Sequence, residues 1–382
     1  MDFSIPDETR IIVETVRRFV ETELQPLERE VDETGVLAPE TAVAIFRKSK
    51  ALGLYAMNMP AELGGGGLSA VEMCLVEEQT GQTSDILIRR AFGNVYEVLL
   101  VADEAQRRRW LLPSIQGERV FSIAITEPGA GSDAAAIRTR AEPAGEGWRL
   151  TGHKHFISDG EVSDFFVVSA VTDPEAGPRG ISLFLVDKDT GGVSVGRNQP
   201  MMGLRGTSHV ELFFDEVLLG PEHLLGERGR GLRLVLETIG RIRLAHIGAR
   251  AVGMASRLLR LMVEQARTRR QFDRRIGDFQ MVQQMLADSA MEINAARLMV
   301  LEAAWTLDQG NDARDKISQV KVYAAETYGR VADRAVQLFG GQGYAKDLPI
   351  ERIYRDSRVA RIYDGTSEIH RMVVARALLG EA

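Results

Sequence analysis

Apolar positions along the first hundred residues recur at three- and four-residue spacing. Ile12, Val16, Phe19, Val20 and Leu24 mark one helical stripe, and Pro26 follows where such a stripe must stop. Helical signals continue to about Leu112, broken by the loop Gly64-Gly65-Gly66-Gly67. From Val120 the period changes. Val120–Thr126, Phe165–Val171, Ile181–Val186 and His209–Phe214 are β-branched or aromatic and are divided by Gly, Pro and Asp. Ile137–Glu142 and Trp148–Thr151 read the same way. No helical pattern intervenes before about Leu219, which favours an antiparallel sheet or barrel over βαβ units. From Leu232 the helical period returns. Leu286, Ala290, Ile293, Ala296, Val300, Ala303 and Leu307 form one stripe, and Ile317, Val320, Ala324, Val331, Ala335 and Leu338 form another. Helices of ~30 residues reach ~45 Å, and amphipathic helices of that length pack as a bundle. The expected fold class is α+β: an N-terminal helical domain over 1–119, a middle antiparallel β-domain over 120–231, and a C-terminal helical bundle over 232–382.

Composition narrows the function. The 382 residues are 45% hydrophobic and 26% charged, ordinary for a soluble globular chain. A net charge of -7, with arginine spread widely, argues against a nucleic-acid partner. The concentrated basic stretch is Arg257–Arg275. No apolar run is long enough for a membrane span. The first residues lack the basic start and apolar core of a signal peptide, so a cytoplasmic location is expected. The single cysteine, Cys74, excludes an intrachain disulfide. It lies in apolar Val71–Val76 with no positive neighbour to stabilise a thiolate, and is expected in the core.

Several short stretches offer chemistry. Glu127-Pro-Gly-Ala-Gly-Ser-Asp-Ala134 carries a G-x-G-x-x-A spacing. Its flanks read as strands, so it is not a nicotinamide-type βαβ turn. It is either a plain turn or a loop whose glycines admit an anion to backbone N–H groups. His153 and His155 share a strand face without a third ligand nearby, so no metal site is expected. Phe156 and Ser158, on the other face, suit contact with a flat heterocycle. Arg269-Arg270-Gln271-Phe272 with Gln280 reads as a solvated basic helix end or as a pyrophosphate clamp. Gln337–Gly343 reads as a glycine helix stop or as a place of close ligand approach. Asp364-Gly365 reads as turn chemistry or as a catalytic base beside a flexible residue.

Taken in order, Thr126–Asp133, Lys154–Gly160, Arg269–Phe272, Gln337–Gly343 and Ile362–Glu368 resemble the signatures of the acyl-CoA dehydrogenase family. The resemblance runs from about Phe3 to the C-terminus. It implies a helical domain, a β-domain and a C-terminal four-helix bundle. It also implies one FAD per subunit, a homotetramer built as a dimer of dimers, and electron-transfer flavoprotein as acceptor. The implied reaction is α,β-desaturation of an acyl-CoA thioester, with the β-hydrogen leaving as hydride to flavin N5.

Carried over by position, Thr126 and Ser158 hydrogen-bond the flavin ring, Ser158 standing where the family often has threonine. Phe156 stands where many members have tryptophan beside the flavin. Ser132 lies near the pyrophosphate and the thioester. Arg269, Phe272, Gln280, Gln337, Gly340 and Gly341 reach the FAD of a neighbouring subunit, and Thr366 and Glu368 hold its adenosine side. Arg243 falls on the substrate-binding arginine, with Arg241 as the alternative. Asp364 replaces the usual glutamate as the base that takes the α-proton. Gly365 follows it, where a backbone N–H polarises the thioester carbonyl. Some members carry the base near Ile242, where Gly240, Arg241 and Arg243 offer no carboxylate. Arg89 and Arg90 fall on the helix lining the acyl pocket. They either meet a carboxylate on the acyl tail or point to solvent or another subunit. A flavin oxidase acting on acyl-CoA or nitroalkanes, and a catalytically retired scaffold, remain as alternative functions.

Overall fold

The computed structural model describes residues 4–380; Phe3, where the resemblance begins, lies outside them. Helix Asp7–Phe19 buries Val16 and Phe19 and runs into a π-helical turn, Val20–Leu24, just before Pro26. Helix Ala70–Thr80 starts at a capping box: Ser69 accepts from the Glu72 N–H while the Glu72 carboxylate accepts from the Ser69 N–H. Helix Asp85–Phe92 follows. Its Ile86, Leu87, Ile88, Ala91 and Phe92 join the core of the N-terminal helices.

The middle region is one sheet of eight strands: β1 Phe121–Ala124, β2 Arg140–Ala144, β3 Gly147–Ser158, β4 Phe165–Val171, β5 Ile181–Asp187, β6 Val193–Asn198, β7 His209–Leu219 and β8 Leu224–Leu225. The order is β6-β7-β3-β2-β4-β5-β8, with β1 beside β4. The hairpin neighbours are antiparallel as expected. Two pairings depart from that: β1 with β4, and β2 with β4 at Arg140 and Val171, are parallel. The segment between β1 and β2 is an irregular loop, long enough to return the chain in the same direction without a helix.

Strands β4 and β5 are covered on both faces, which is why they read as nearly continuous apolar runs. Phe165 and Val167 face the helical side with Ile181, Leu183 and Leu185, while Phe166, Val168, Phe184 and Val186 face the opposite core.

The C-terminal bundle is built on helices Gly231–Ile242, Arg250–Thr268, Gln280–Asp308 and Arg314–Phe339, with Ser367–Leu379 packed against the last of these. A seven-residue π-helical stretch, Arg243–Ala249, joins the first two. Cys74 is buried within this bundle core, and burial pushes its thiol pKa up, so it packs as a small apolar residue. Among the described residues no helix is long and apolar enough to cross a membrane.

Candidate active site

A cleft of about 2070 Å³ opens between the sheet and the bundle, reaching the N-terminal helices at one end. Its sheet wall carries Thr126, Ser132, Phe156 and Ser158; its bundle wall carries Arg243, His246, Asp364, Gly365 and Thr366.

The strand alternation expected of β3 breaks before this wall. A register shift separates Lys154 from Ile157, and Phe156 sits in a left-handed conformation at φ 57. Phe156 therefore turns onto His155, the rings stacking at 3.9 Å, instead of taking the opposite face. It stays 48% exposed toward the cleft. Ser158 lies opposite His209 in the register, with its Oγ 3.0 Å from His209 Nδ1. Burial, then Arg89, lowers the His209 pKa and keeps the ring neutral.

The loop after β1 is pinned from below. Buried Lys154 Nζ donates to the Ile125 carbonyl (2.9 Å) and to Glu127 (2.8 Å). Glu127 in turn accepts from the N–H groups of Arg138 (2.6 Å) and Thr139 (3.0 Å). A Cβ at Gly129 or Gly131 would meet nothing within 4 Å, so the chain's own packing does not require glycine there.

On the bundle wall, Asp364 adopts φ 53 and Gly365 φ 92, two successive residues in the region that L side chains avoid. The Asp364 main-chain carbonyl accepts from Arg243 Nε (2.6 Å), and His370 Nε2 stands 3.2 Å from it. Asp364 is half-buried, within electrostatic reach of Arg243, His246, Lys321, Arg89, Tyr96 and Tyr363. Loss of water raises its pKa, against the opposing pull of Arg243 and Lys321. Lys321 is fully buried with no hydrogen-bond partner for its Nζ among the described residues, and burial pushes its pKa down to about 8. Thr366 caps helix Ser367–Leu379 by accepting from the Ile369 N–H (3.2 Å), and Glu368 lies exposed in its first turn.

The far end of the cleft is polar. Arg89 donates to Asp85 (2.5 Å) and Asp159 (3.2 Å), and Arg90 donates to Asp159 (2.7 Å). Arg250 donates to Glu77 (2.6 Å), with His246 3.3 Å from the same carboxylate. Neither Arg89 nor Arg90 points free to solvent. The carboxylates they pair with belong to the chain itself.

Seven of the predicted cofactor residues do not line this cleft: exposed Glu368 and six others. Arg269, Phe272, Gln280, Gln337, Gly340 and Gly341 are all exposed, Phe272 87% so at the tip of a two-stranded hairpin. Gly340 takes φ 61 to end helix Arg314–Phe339. Of the two candidate substrate arginines, Arg241 is exposed at the cleft, while Arg243 is half-buried against the Asp364 loop.

The chain matches the acyl-CoA dehydrogenase N-terminal domain over residues 6–118, the middle domain over 122–217 and the C-terminal domain over 229–379. It belongs to the acyl-CoA dehydrogenase family. It is 38% identical over 383 residues to a probable acyl-CoA dehydrogenase of Mycobacterium leprae, covering 99% of this chain and 97% of that one. It is 35% identical over 384 residues to the Caffeyl-CoA reductase-Etf complex subunit CarC of Acetobacterium woodii, with 98% of each covered. Butyryl-CoA dehydrogenase from Megasphaera elsdenii superposes with a TM-score of 0.92 at 30% identity, covering 99% of this chain and 100% of that one.

As a member of this family the protein is an FAD-dependent oxidoreductase. The cleft fits that cofactor. It has an exposed aromatic ring at Phe156, a hydroxyl at Ser158 and an open glycine loop around a space of about 2070 Å³. Four residues of this site, His209, His246, Lys321 and His370, carry no motif that marks them in the sequence. His370 was nonetheless legible in principle. It stands three residues beyond the helix start, on the face that returns to the Asp364 turn.

Proposed function

We propose that this protein catalyses α,β-desaturation of an acyl-CoA thioester, with Asp364 as the base that removes the α-proton. The observation that carries the reading is the state of Asp364 among its peers. Seven carboxylates line the cleft. Asp85, Glu97, Asp133, Glu237, Asp312 and Asp356 each accept a hydrogen bond from a side chain or a backbone N–H. The carboxyl oxygens of Asp364 accept none from the described residues, and its pKa is raised. A carboxylate that is poorly solvated and unpaired is a stronger base than one in water. Around Ile242 the chain offers Gly240, Arg241 and Arg243 and no carboxylate, and the cleft carboxylate on helix Gly231–Ile242, Glu237, is paired with Arg233.

Bound FAD supplies the hydride acceptor for the β-hydrogen. Thr126 and Ser158 would hold its ring and Phe156 would flank it. Ser132 would approach its pyrophosphate, and Thr366 and Glu368 its adenosine side. The Gly365 N–H, next to the base, would polarise the thioester carbonyl. Arg241, exposed at the cleft, is the better placed of the two arginines for the CoA moiety. The six exposed residues from Arg269 to Gly341 support a site completed by a second copy of this chain, within a homotetramer. The Acetobacterium woodii relative is named as part of an Etf complex, which supports electron-transfer flavoprotein as the acceptor. It is also named as a reductase, and protonated Asp364 would serve the reverse direction by returning the α-proton.

The deciding measurement is anaerobic flavin reduction by acyl-CoA in Asp364→Asn. The expected outcome is retained FAD and acyl-CoA binding with reduction slowed by about 10²-fold or more. Reduction at the wild-type rate would return Asp364 to the status of a turn residue.

A further inference from the structure

We propose that Arg243 and His370 are positioning residues that clamp the main-chain carbonyl of Asp364 and so keep its carboxyl in the cleft. The inference rests on Asp364 being the base. Asp364 is not glycine, yet it holds φ 53, a conformation that is disfavoured for a side-chain-bearing residue. Something must hold it there. The structure offers two donors on one acceptor: Arg243 Nε at 2.6 Å, from the π-helical stretch, and His370 Nε2 at 3.2 Å, from the following helix.

The chemistry of His370 fixes its tautomer. To donate from Nε2 as a neutral ring, it must accept at Nδ1. Ser318 Oγ lies 3.1 Å from Nδ1 and is the available donor. The Arg314 carbonyl, 2.9 Å away, competes for that single hydroxyl proton; the Asp364 carbonyl can only accept, so a hydrogen bond from His370 Nε2 still requires the Nε2–H tautomer. Burial lowers the His370 pKa to about 4, so the ring is neutral at physiological pH. Gly365 belongs to the same device: a Cβ there would stand 2.8 Å from His370 Nε2 and push the ring off the carbonyl.

The same arrangement sets the pH response of the base. Arg243 and His246 face Asp364 from the π-helical stretch, Lys321 from helix Arg314–Phe339, Arg89 from helix Asp85–Phe92, and Tyr96, Tyr363 and His370 from flanking turns and the last helix. Arg243 is the largest of the opposing charges.

The test compares Arg243→Gln, Arg243→Lys and His370→Gln as FAD-loaded protein. It measures acyl-CoA binding, the flavin-reduction rate at saturation across pH, and the ¹⁵N NMR signature of His370. Arg243→Gln is expected to leave the acyl-CoA Kd within about twofold and to slow reduction about tenfold. It should also move the acid limb of the rate profile up by about one pH unit. Arg243→Lys should restore much of that limb, and His370→Gln, which keeps an N–H donor, should lose less than threefold. His370 itself should be a neutral Nε2–H tautomer. A tenfold weaker Kd with the acid limb unmoved would make Arg243 a CoA contact and overturn the inference, as would an Nδ1–H or protonated His370. Wild-type reduction in Asp364→Asn, with the Nε2–H signature intact, would instead overturn the base assignment.

Discussion

Ser158 Oγ and His209 Nδ1 face each other 3.0 Å apart as register partners on β3 and β7, on the cleft wall. With His209 neutral, its Nδ1–H tautomer would donate to Ser158 and leave the serine proton to point into the cleft toward the flavin ring. Ser158→Ala is then expected to weaken FAD binding by roughly 2- to 10-fold, the value of one hydrogen bond. Titration of stripped protein with FAD checks this. An unchanged Kd with an unchanged flavin spectrum would remove Ser158 from the cofactor site.

The helical and strand regions were legible because their periods differ and because β4 and β5 are apolar on both faces. β6, Val193–Asn198, escaped because Gly196, Arg197 and Asn198 dilute its two valines and leave it largely unburied. The orientation of Phe156 escaped because one bulge residue reverses every later side chain of a strand. The polar end of the cleft escaped for a different reason. Arg250 and Glu77 are separated by 173 residues, and no local pattern announces such a pair.

That polar end bears on the acyl group. Arg89 and Arg90 are already neutralised by Asp85 and Asp159, so neither is a free cation for a carboxylated tail. Buried ion pairs also give a long alkyl chain no apolar surface to occupy. Compact, uncharged acyl groups are expected to give the highest kcat/KM. A side-by-side assay of short straight, branched, aryl, long-chain and dicarboxylyl thioesters checks it. A clear preference for either of the last two would contradict the reading.

The six exposed residues lead to a prediction about assembly. Arg269→Ala should reduce FAD content per chain even though no residue of this chain's cleft is altered. Loss of FAD should be deeper at protein concentrations low enough to dissociate the oligomer. FAD absorbance after gel filtration at two loading concentrations measures both effects. Stoichiometric FAD in the variant at both would detach this cluster from the cofactor.

A buried ion-pair cluster joins the N-terminal region to the bundle. Buried Glu28 accepts from Arg257 at 2.6 and 2.9 Å and pairs with Arg352 at 2.9 Å. Glu28→Gln would leave Arg257 without its counter-charge and buried Arg352 with Asp356 alone, 3.4 Å away, at a cost of about 3–5 kcal/mol. Denaturant unfolding of the FAD-loaded protein should show the loss; a change below about 1 kcal/mol would mean that water or another carboxylate relieves the charge.

The raised pKa of Asp364 makes a prediction about stability as well as rate. A carboxylate whose pKa is higher folded than unfolded favours its neutral form in the fold, so ionisation destabilises the native state. The penalty is fully present above the folded pKa. It shrinks as pH falls through that value and vanishes below the unfolded value of about 3.9. Asp364→Asn removes the ionisation while keeping size and shape. The variant is therefore expected to melt higher than the wild type at pH 7, with the difference closing as the pH approaches about 4. The ordering matters, because a purely structural aspartate held by salt bridges would give the opposite sign: its loss would lower Tm at pH 7. Arg243 and Lys321 oppose the burial but do not overcome it. Paired melting curves at matched FAD occupancy across that pH range measure the effect. A lower Tm for the variant at pH 7 would show that the ionised Asp364 stabilises the fold and that its carboxyl is not held in reserve for a proton.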